Sequence, residues 1–321
     1  MKKRNKKIRQ SFNDPQKGFD STAKRIITVA IVIILVVMAG TYFFIEYKYG
    51  SFTNMFIGET TTTTQKQTSE KIEIIPVDGK RDYLIAVTSP GENELYNVFM
   101  VCVNMTDKKA YFTSVPVFTK DSSLKTLAQQ YEIGGAAQLE YALERMFSVD
   151  FDGYFCATQN GYKFMLTELG TGIAYDVPED LQFSTTDYTL ALNAGKQELK
   201  FDTFVKLMRY TGWGGGSANT YKVQADLLKE LFNQYCKPNF VTRDVEKYSY
   251  MMSYIKSDFS SEDYINDLNT VEYIAASKFS ATLIVPEGSF SGSGDDETFK
   301  YSQAGINKIK TNFNLTEKED E

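Results

Sequence analysis

No histidine occurs anywhere in the 321 residues, which excludes Ser-His-Asp and Cys-His catalysis, His-ligated zinc and imidazole proton shuttling. Cysteine is nearly as scarce. Cys102, Cys156 and Cys236 are too few and too scattered for a disulfide framework or a zinc cluster. The first two sit in runs 99–103 and 154–157 that read as buried strands, so free thiols are expected. Tryptophan is present once, as Trp213, and no internal repeat is evident. Positive charge also runs short: from Tyr47 onward 26 Lys or Arg face 38 Asp or Glu, net acidic by 12. That balance argues against a nucleic-acid partner.

What the chain does have is one uncharged apolar run of twenty, residues 26–45, preceded by nine Lys or Arg among 25 residues. Twenty such residues span the hydrocarbon core of a bilayer as a helix. The basic flank is expected to stay in the cytoplasm and the remainder to lie outside the cell membrane. A cleaved signal peptide would carry a shorter apolar core followed by small residues. Here the exit holds Tyr42, Phe43, Phe44, Tyr47 and Tyr49, aromatics suited to the membrane interface. An outer-face domain has no ATP or NAD(P)H supply, so its expected ligands are lipid-linked or polymeric.

The organisation expected is a basic cytoplasmic tail 1–25, a transmembrane helix 26–46, a Thr-rich stalk 47–71, a folded extracellular domain 72–314 and an acidic tail 315–321. The stalk includes five consecutive threonines, 60–64, too polar a tract to bury a core. Strands are expected at 82–89, 97–105 and 109–116, the last two joined by the hairpin turn Thr106-Asp107-Lys108. Residues 136–147 place Leu139, Ala142, Leu143, Met146 and Phe147 on one helical stripe with Glu140 and Glu144 opposite, the pattern of a helix laid on a sheet. Further strands are expected at 154–159, 172–177 and 279–285. Helices are expected at 162–169, 201–210, 221–235, from about 262, and at 304–313. Segment 178–189 reads as a polar connection and 288–296 as a flexible loop. Strands and helices interleave, which predicts an α/β fold, a three-layer α/β/α sandwich on a central mixed sheet.

Several short motifs resemble, in order, those of the LytR-CpsA-Psr family of bacterial envelope proteins. Ser114-Val115-Pro116-Val117-Phe118-Thr119 falls where that family has Ser-Ile-Pro-Arg-Asp-Thr. Gly134-Gly135 precedes a Leu/Glu-rich helix, as in the family, and Phe151-Asp152-Gly153-Tyr154 and Leu169-Gly170-Thr171-Gly172-Ile173 resemble its next strand and turn. Leu192-Asn193-Ala194-Gly195-Lys196-Gln197-Glu198-Leu199 follows its Leu-x-x-Gly-x-Gln-x-Leu segment, and Lys206-Leu207-Met208-Arg209-Tyr210 its Ala-Tyr-Val-Arg helix. The resemblance implies transfer of anionic glycopolymers from a polyprenyl pyrophosphate carrier onto peptidoglycan. It also implies a lipid tail in a hydrophobic pocket, arginines on the pyrophosphate and aspartates on Mg²⁺.

The chain departs from that pattern where the chemistry lies. The first Arg-Asp pair is Val117 and Phe118, the strand Asp is Asn97, and Thr211 replaces the second arginine of an Arg-x-Arg pair. The downstream Asp-x-x-Arg-x-x-Arg-Gln pattern becomes Ser217, Thr220, Val223 and Gln224. A pyrophosphate needs converging cations, so one guanidinium leaves the transfer unsupported. Arg209 and Gln224 are the headgroup-binding candidates, no residue is assigned to catalysis or to a metal, and Mg²⁺ enters only if the protein is active. Gln224 also shares a stripe with Leu227, Leu228 and Leu231, which suits a local hydrogen bond. Trp213, Gly214 and Gly215 are expected to form a lid or a contact to glycan, lipid or a partner. Glycines can close backbone N–H groups on an anion, but the strand, Lys and helix of a P-loop are lacking.

The expected function is a catalytically degraded, membrane-anchored relative of that family that binds polyprenyl-linked precursors or assists an active relative. The alternatives are an active phosphotransferase, with cations from Lys120, Lys125 or Lys222, and a structural ectodomain without a small ligand.

Overall fold

The computed structural model describes residues 74–292 and 296–313. The basic tail, the transmembrane helix, the stalk and the acidic tail all lie outside the described residues. Among the described residues no helix is long and apolar enough to cross a membrane.

The centre is a six-stranded mixed sheet in the order β10-β3-β2-β1-β4-β9. It is built from β1 (Lys80–Thr88), β2 (Leu95–Asn104), β3 (Lys109–Ser114), β4 (Gly153–Thr158), β9 (Lys256–Ser257) and β10 (Ser280–Leu283). β1, β2 and β3 form an antiparallel meander, while β4 joins β1 and β10 joins β3 in parallel. The near-continuous apolar run of β2 is what a strand covered on both faces requires. Its alternate residues divide between two cores: Phe99, Val101 and Val103 face one, and Val98, Met100 and Cys102 the other. Helices cover both faces. On the first lie α2 (Gln159–Thr167), α3 (Phe201–Arg209) and α4 (Ser217–Tyr235); on the second lie α1 (Leu127–Phe147) and α8 (Gln303–Asn312). The α/β fold on a mixed sheet is as the sequence predicts.

Three segments depart from expectation. α1 begins at Leu127, nine residues earlier than its stripe suggests, because Thr126 and Gln129 form a reciprocal capping box that satisfies two N-terminal donors. The helix is interrupted at Gly134 and Gly135, the latter at φ 66° and ψ −151°, a region essentially reserved for glycine. The supposed polar connection 178–189 folds as a hairpin, β6 (Leu181–Ser184) with β7 (Thr189–Leu192), its Leu181 and Leu190 buried. Next to it β5 (Gly172–Val177) pairs with β8 (Gly195–Lys200) outside the central sheet. Within the supposed flexible loop, β11 (Gly288–Ser291) pairs with β12 (Thr298–Tyr301) and carries Phe290 onto Phe299, ring centres 4.6 Å apart. Three short helices, α5 (Val245–Met252), α6 (Ser261–Asn266) and α7 (Leu268–Ala276), complete the order before β10. The cysteines are free, with Cys102 and Cys156 buried.

Candidate functional site

The last turn of α3 leaves carbonyls without helical donors, and one of them organises the polar centre of the molecule. The Met208 carbonyl accepts from Asn97 Nδ2 and from Gln224 Nε2, each at 2.9 Å, and Gln224 Oε1 accepts from Ser114 Oγ at 2.7 Å. Asn97, Gln224 and Ser114 are 2%, 3% and 0% exposed. Both ends of the Gln224 amide are therefore occupied by the protein itself. This is the local hydrogen-bonding role its place on the leucine stripe suggested, and it ties α3, α4, β2 and β3 together.

Beside this node stands a set of aromatic rings. Phe118 lies edge-on to Tyr221 and to Phe290, at 6.2 and 6.1 Å, and Tyr221 stacks on Phe290 with an interplanar angle of 12°. Val117 and Phe118 pack against the second core. Val223 is buried, Thr220 donates to the Thr211 carbonyl at 2.9 Å, and Ser217 reaches Glu297 at 3.4 Å. The positions where the resemblance puts metal carboxylates hold the amide of Asn97 and the ring of Phe118. Those residues do not fit Mg²⁺, and among the described residues no group of three or more His, Cys, Asp or Glu could hold a metal ion.

Arg209 lies apart from Gln224. Its Nη2 donates to Asp187 Oδ2 at 3.1 Å, and its guanidinium carbon sits 3.9 Å from the centre of the Tyr96 ring and 5.2 Å from that of Tyr188. These are cation–π distances. The node explains the placement: Asn97 pins the α3 terminus to β2, which sets Arg209 over the preceding residue, Tyr96.

The glycine loop is closed rather than open. Gly214 donates its N–H to Glu179 Oε1 at 2.8 Å, and its carbonyl accepts from Asn219 at 2.7 Å. Gly215 and Gly216 take φ values of 89° and 79°, which other residues adopt only under strain. A carboxylate of the chain thus already holds the N–H that an anion would use. Trp213 was expected at the surface of a lid. Instead it is 3% exposed, edge-on to Tyr210 at 5.3 Å within the first core, and only the backbone of the loop remains outside.

Pattern reasoning missed an apolar cavity of about 440 Å³ between the sheet and helices α2, α4 and α5. Tyr83, Ile85 and Phe155 form its floor, and Leu228, Leu231 and Phe232 of α4 form one wall. Met165 and Leu166 come from α2; Tyr248, Met251 and Met252 come from α5. The floor residues lie on central strands yet are only half-buried, whereas their neighbours Leu84 and Ala86 are 0% and 1% exposed. None of its 23 lining residues is Asp, Glu, Lys or Arg. Burial pushes the Cys236 thiol in its wall up to about 12, which keeps it neutral. Lys120, Lys125 and Lys222, the alternative cations, are exposed and absent from this wall. The run Tyr248-x-x-Met251-Met252 was the one sequence signal, and its helical spacing was not distinguishable from ordinary core.

A mixed-sheet α/β domain with an uncharged, hydrocarbon-lined cavity against one sheet face is the class that this geometry defines. The LytR_cpsA_psr family pattern matches residues 53–314, and the chain belongs to that family of cell-envelope proteins. Solved structures share the fold at low identity. A protein from Eubacterium siraeum is 13% identical, with a TM-score of 0.65 over 81% of this chain and 100% of its own. TagT bound to LIIa-WTA is 14% identical, with a TM-score of 0.59 over 79% of this chain and 98% of its own. TagV of B. subtilis is 16% identical, with a TM-score of 0.57 over 74% and 96%. A search of curated proteins returned no match.

Proposed function

We propose that this protein is a membrane-anchored, outward-facing member of its family that holds the hydrocarbon tail of a polyprenyl-linked envelope precursor without transferring the headgroup, and hands it to or shields it for an active relative. The observation that carries this is the contrast between two sites. The cavity is of a size that fits roughly 300–1,000 Å³ ligand pockets and is wholly uncharged. The positions that should neutralise a diphosphate are filled by Phe118, Val223 and Thr220 and by the amide node. Phosphoryl transfer rests on positioning and charge neutralisation, and the chain retains neither converging guanidinium groups nor metal carboxylates there.

The likeness to TagT, solved with LIIa-WTA bound, supports a lipid-linked glycopolymer as the class of precursor. The apolar run 26–45 supports a single membrane span with the N-terminus in the cytoplasm.

The test uses the full-length chain in detergent with polyprenyl pyrophosphate and Mg²⁺. Lipid is expected to co-elute with the protein and no phosphate to be released. Steady phosphate release would establish the phosphotransferase instead, and absence of lipid uptake would establish a structural ectodomain.

A further inference from the structure

A second, polar cavity of about 400 Å³ lies where Arg209 meets the hairpin tip between β6 and β7. It shares no lining residue with the apolar cavity, because α2 turns Gln159 and Asn160 toward one and Tyr162, Met165 and Leu166 toward the other. We propose that this groove binds a neutral saccharide.

Its chemistry discriminates between ligand classes. Two tyrosine rings, Tyr96 and Tyr188, line it together with Pro90, which suits the apolar face of a pyranose ring. Each charged lining group is paired: Arg209 with Asp187 at 3.1 Å, and Lys206 with Asp202 at 2.6 Å, Asp202 also accepting from Lys163 outside the lining at 3.3 Å. A phosphate, which needs several unopposed donors, therefore finds each lining cation already engaged by a carboxylate, and an alkyl chain would strip water from charged groups.

The free groups are of both kinds. Among the described residues Arg209 Nε and Nη1 have no acceptor, and the Asn160 amide and the Tyr96 and Tyr188 hydroxyls have no partner. Gln159 uses only its amide nitrogen, on the Val205 carbonyl at 3.2 Å, which leaves its oxygen free. Interspersed donors and acceptors beside aromatic rings match a ligand whose every hydroxyl both donates and accepts. The site is also built rather than incidental. The buried Asn97–Met208–Gln224 node sets the α3 terminus, and the two rings hold the guanidinium plane.

The test is a calorimetric titration of the full-length chain in detergent, free of polyprenyl lipid, with N-acetylglucosamine tetramer and with cellotetraose. At least one is expected to bind, and Tyr188→Ser and Asn160→Ala are each expected to weaken that binding by about tenfold or more. Tyr188 touches Phe183, ring centres 5.2 Å apart, so its loss can disturb the hairpin. Asn160 is exposed on α2, and Asn160→Ala, with an unchanged melting temperature, decides in that case. Binding of neither oligosaccharide, or equal binding by wild type and Asn160→Ala, overturns the proposal. Because no lipid is present, such a failure leaves the reading of the apolar cavity standing.

Discussion

At the scale of the residue, one amide shows how a polar candidate read from sequence is engaged in the scaffold. Gln224 was a headgroup candidate, yet its donor and acceptor are both engaged inside the protein, on Met208 and Ser114. Removing one partner from a buried pair strands the other at a cost of about 1–3 kcal/mol. Gln224→Ala is therefore expected to lower unfolding free energy by about that amount, read from urea denaturation, while leaving retention of polyprenyl lipid unchanged. Loss of lipid retention with unaltered stability would instead place Gln224 on the ligand. Asn97 also donates to Met208, so the two amides act on one carbonyl and their losses should not add. Trp213 makes the same point in reverse. Its flexible-looking sequence context of glycines suggested exposure, but a large apolar ring next to Tyr210 finds burial within reach, and the glycines supply the turn that puts it there.

At the scale of the element, α1 carries a charge arrangement that its sequence stripe half reveals. Glu140 and Glu144 stand opposite the apolar stripe, as expected, but they are not simply solvated. Partial burial, with Asp258, Glu144 and Asp150 nearby, pushes Glu140 from its ordinary 4.5 up to about 7. Burial likewise raises Glu144, whose carboxylate accepts from the Phe151 N–H at 3.3 Å. A carboxyl that holds its proton more tightly when folded favours the folded state most fully below about pH 4.5. That contribution fades as pH climbs through 7. Because Glu140 is half-buried and partly screened by water, its share is on the order of 1 kcal/mol. Glu140→Gln is expected to raise the melting temperature at pH 8 and to leave it nearly unchanged at pH 5, in paired thermal melts. Equal shifts at both values would show that the effect is packing rather than titration. The partners that create this environment come from other elements, Asp150 before β4 and Asp258 after β9, which is why helical periodicity alone could not expose it.

At the scale of the whole molecule, the cavity depends on elements far apart in the chain: β1 and β4 for its floor, α2 and α4 for its walls, and α5 for its outer side. α5 has no buried residue, so the outer wall is the part most easily changed without unfolding the domain. A ligand that binds only the folded state stabilises it by about 2.7 kcal/mol at a hundredfold excess over Kd. Saturating polyprenyl lipid is thus expected to raise the melting temperature of the wild-type chain. Met251→Asp, which sets a charge in an apolar wall, should abolish that rise while leaving the lipid-free melt almost unaltered. A persistent rise in this variant would move the lipid site elsewhere.

The sequence by itself determined the layered α/β fold, because near-continuous apolar strands and striped helices admit few other ways to bury their faces. The order of its motifs pointed to the family, and the absence of histidine excluded imidazole chemistry. Residues 172–177 were legible as a strand, but neither their partner 195–200 nor the hairpin of 181–184 with 189–192 was, since those short strands outside the central sheet alternate too few apolar residues to stand out from loop. Tertiary structure alone decided the rest. An apolar residue reads the same in sequence whether it fills a core or lines a void, so the cavity beneath Tyr248 and Met251 appears only when nine elements are brought together. The pairing of Arg209 with Asp187, Tyr96 and Tyr188 is likewise a matter of distance between β2, α3 and the hairpin tip, and charge or ring type in a linear chain carries no record of distance.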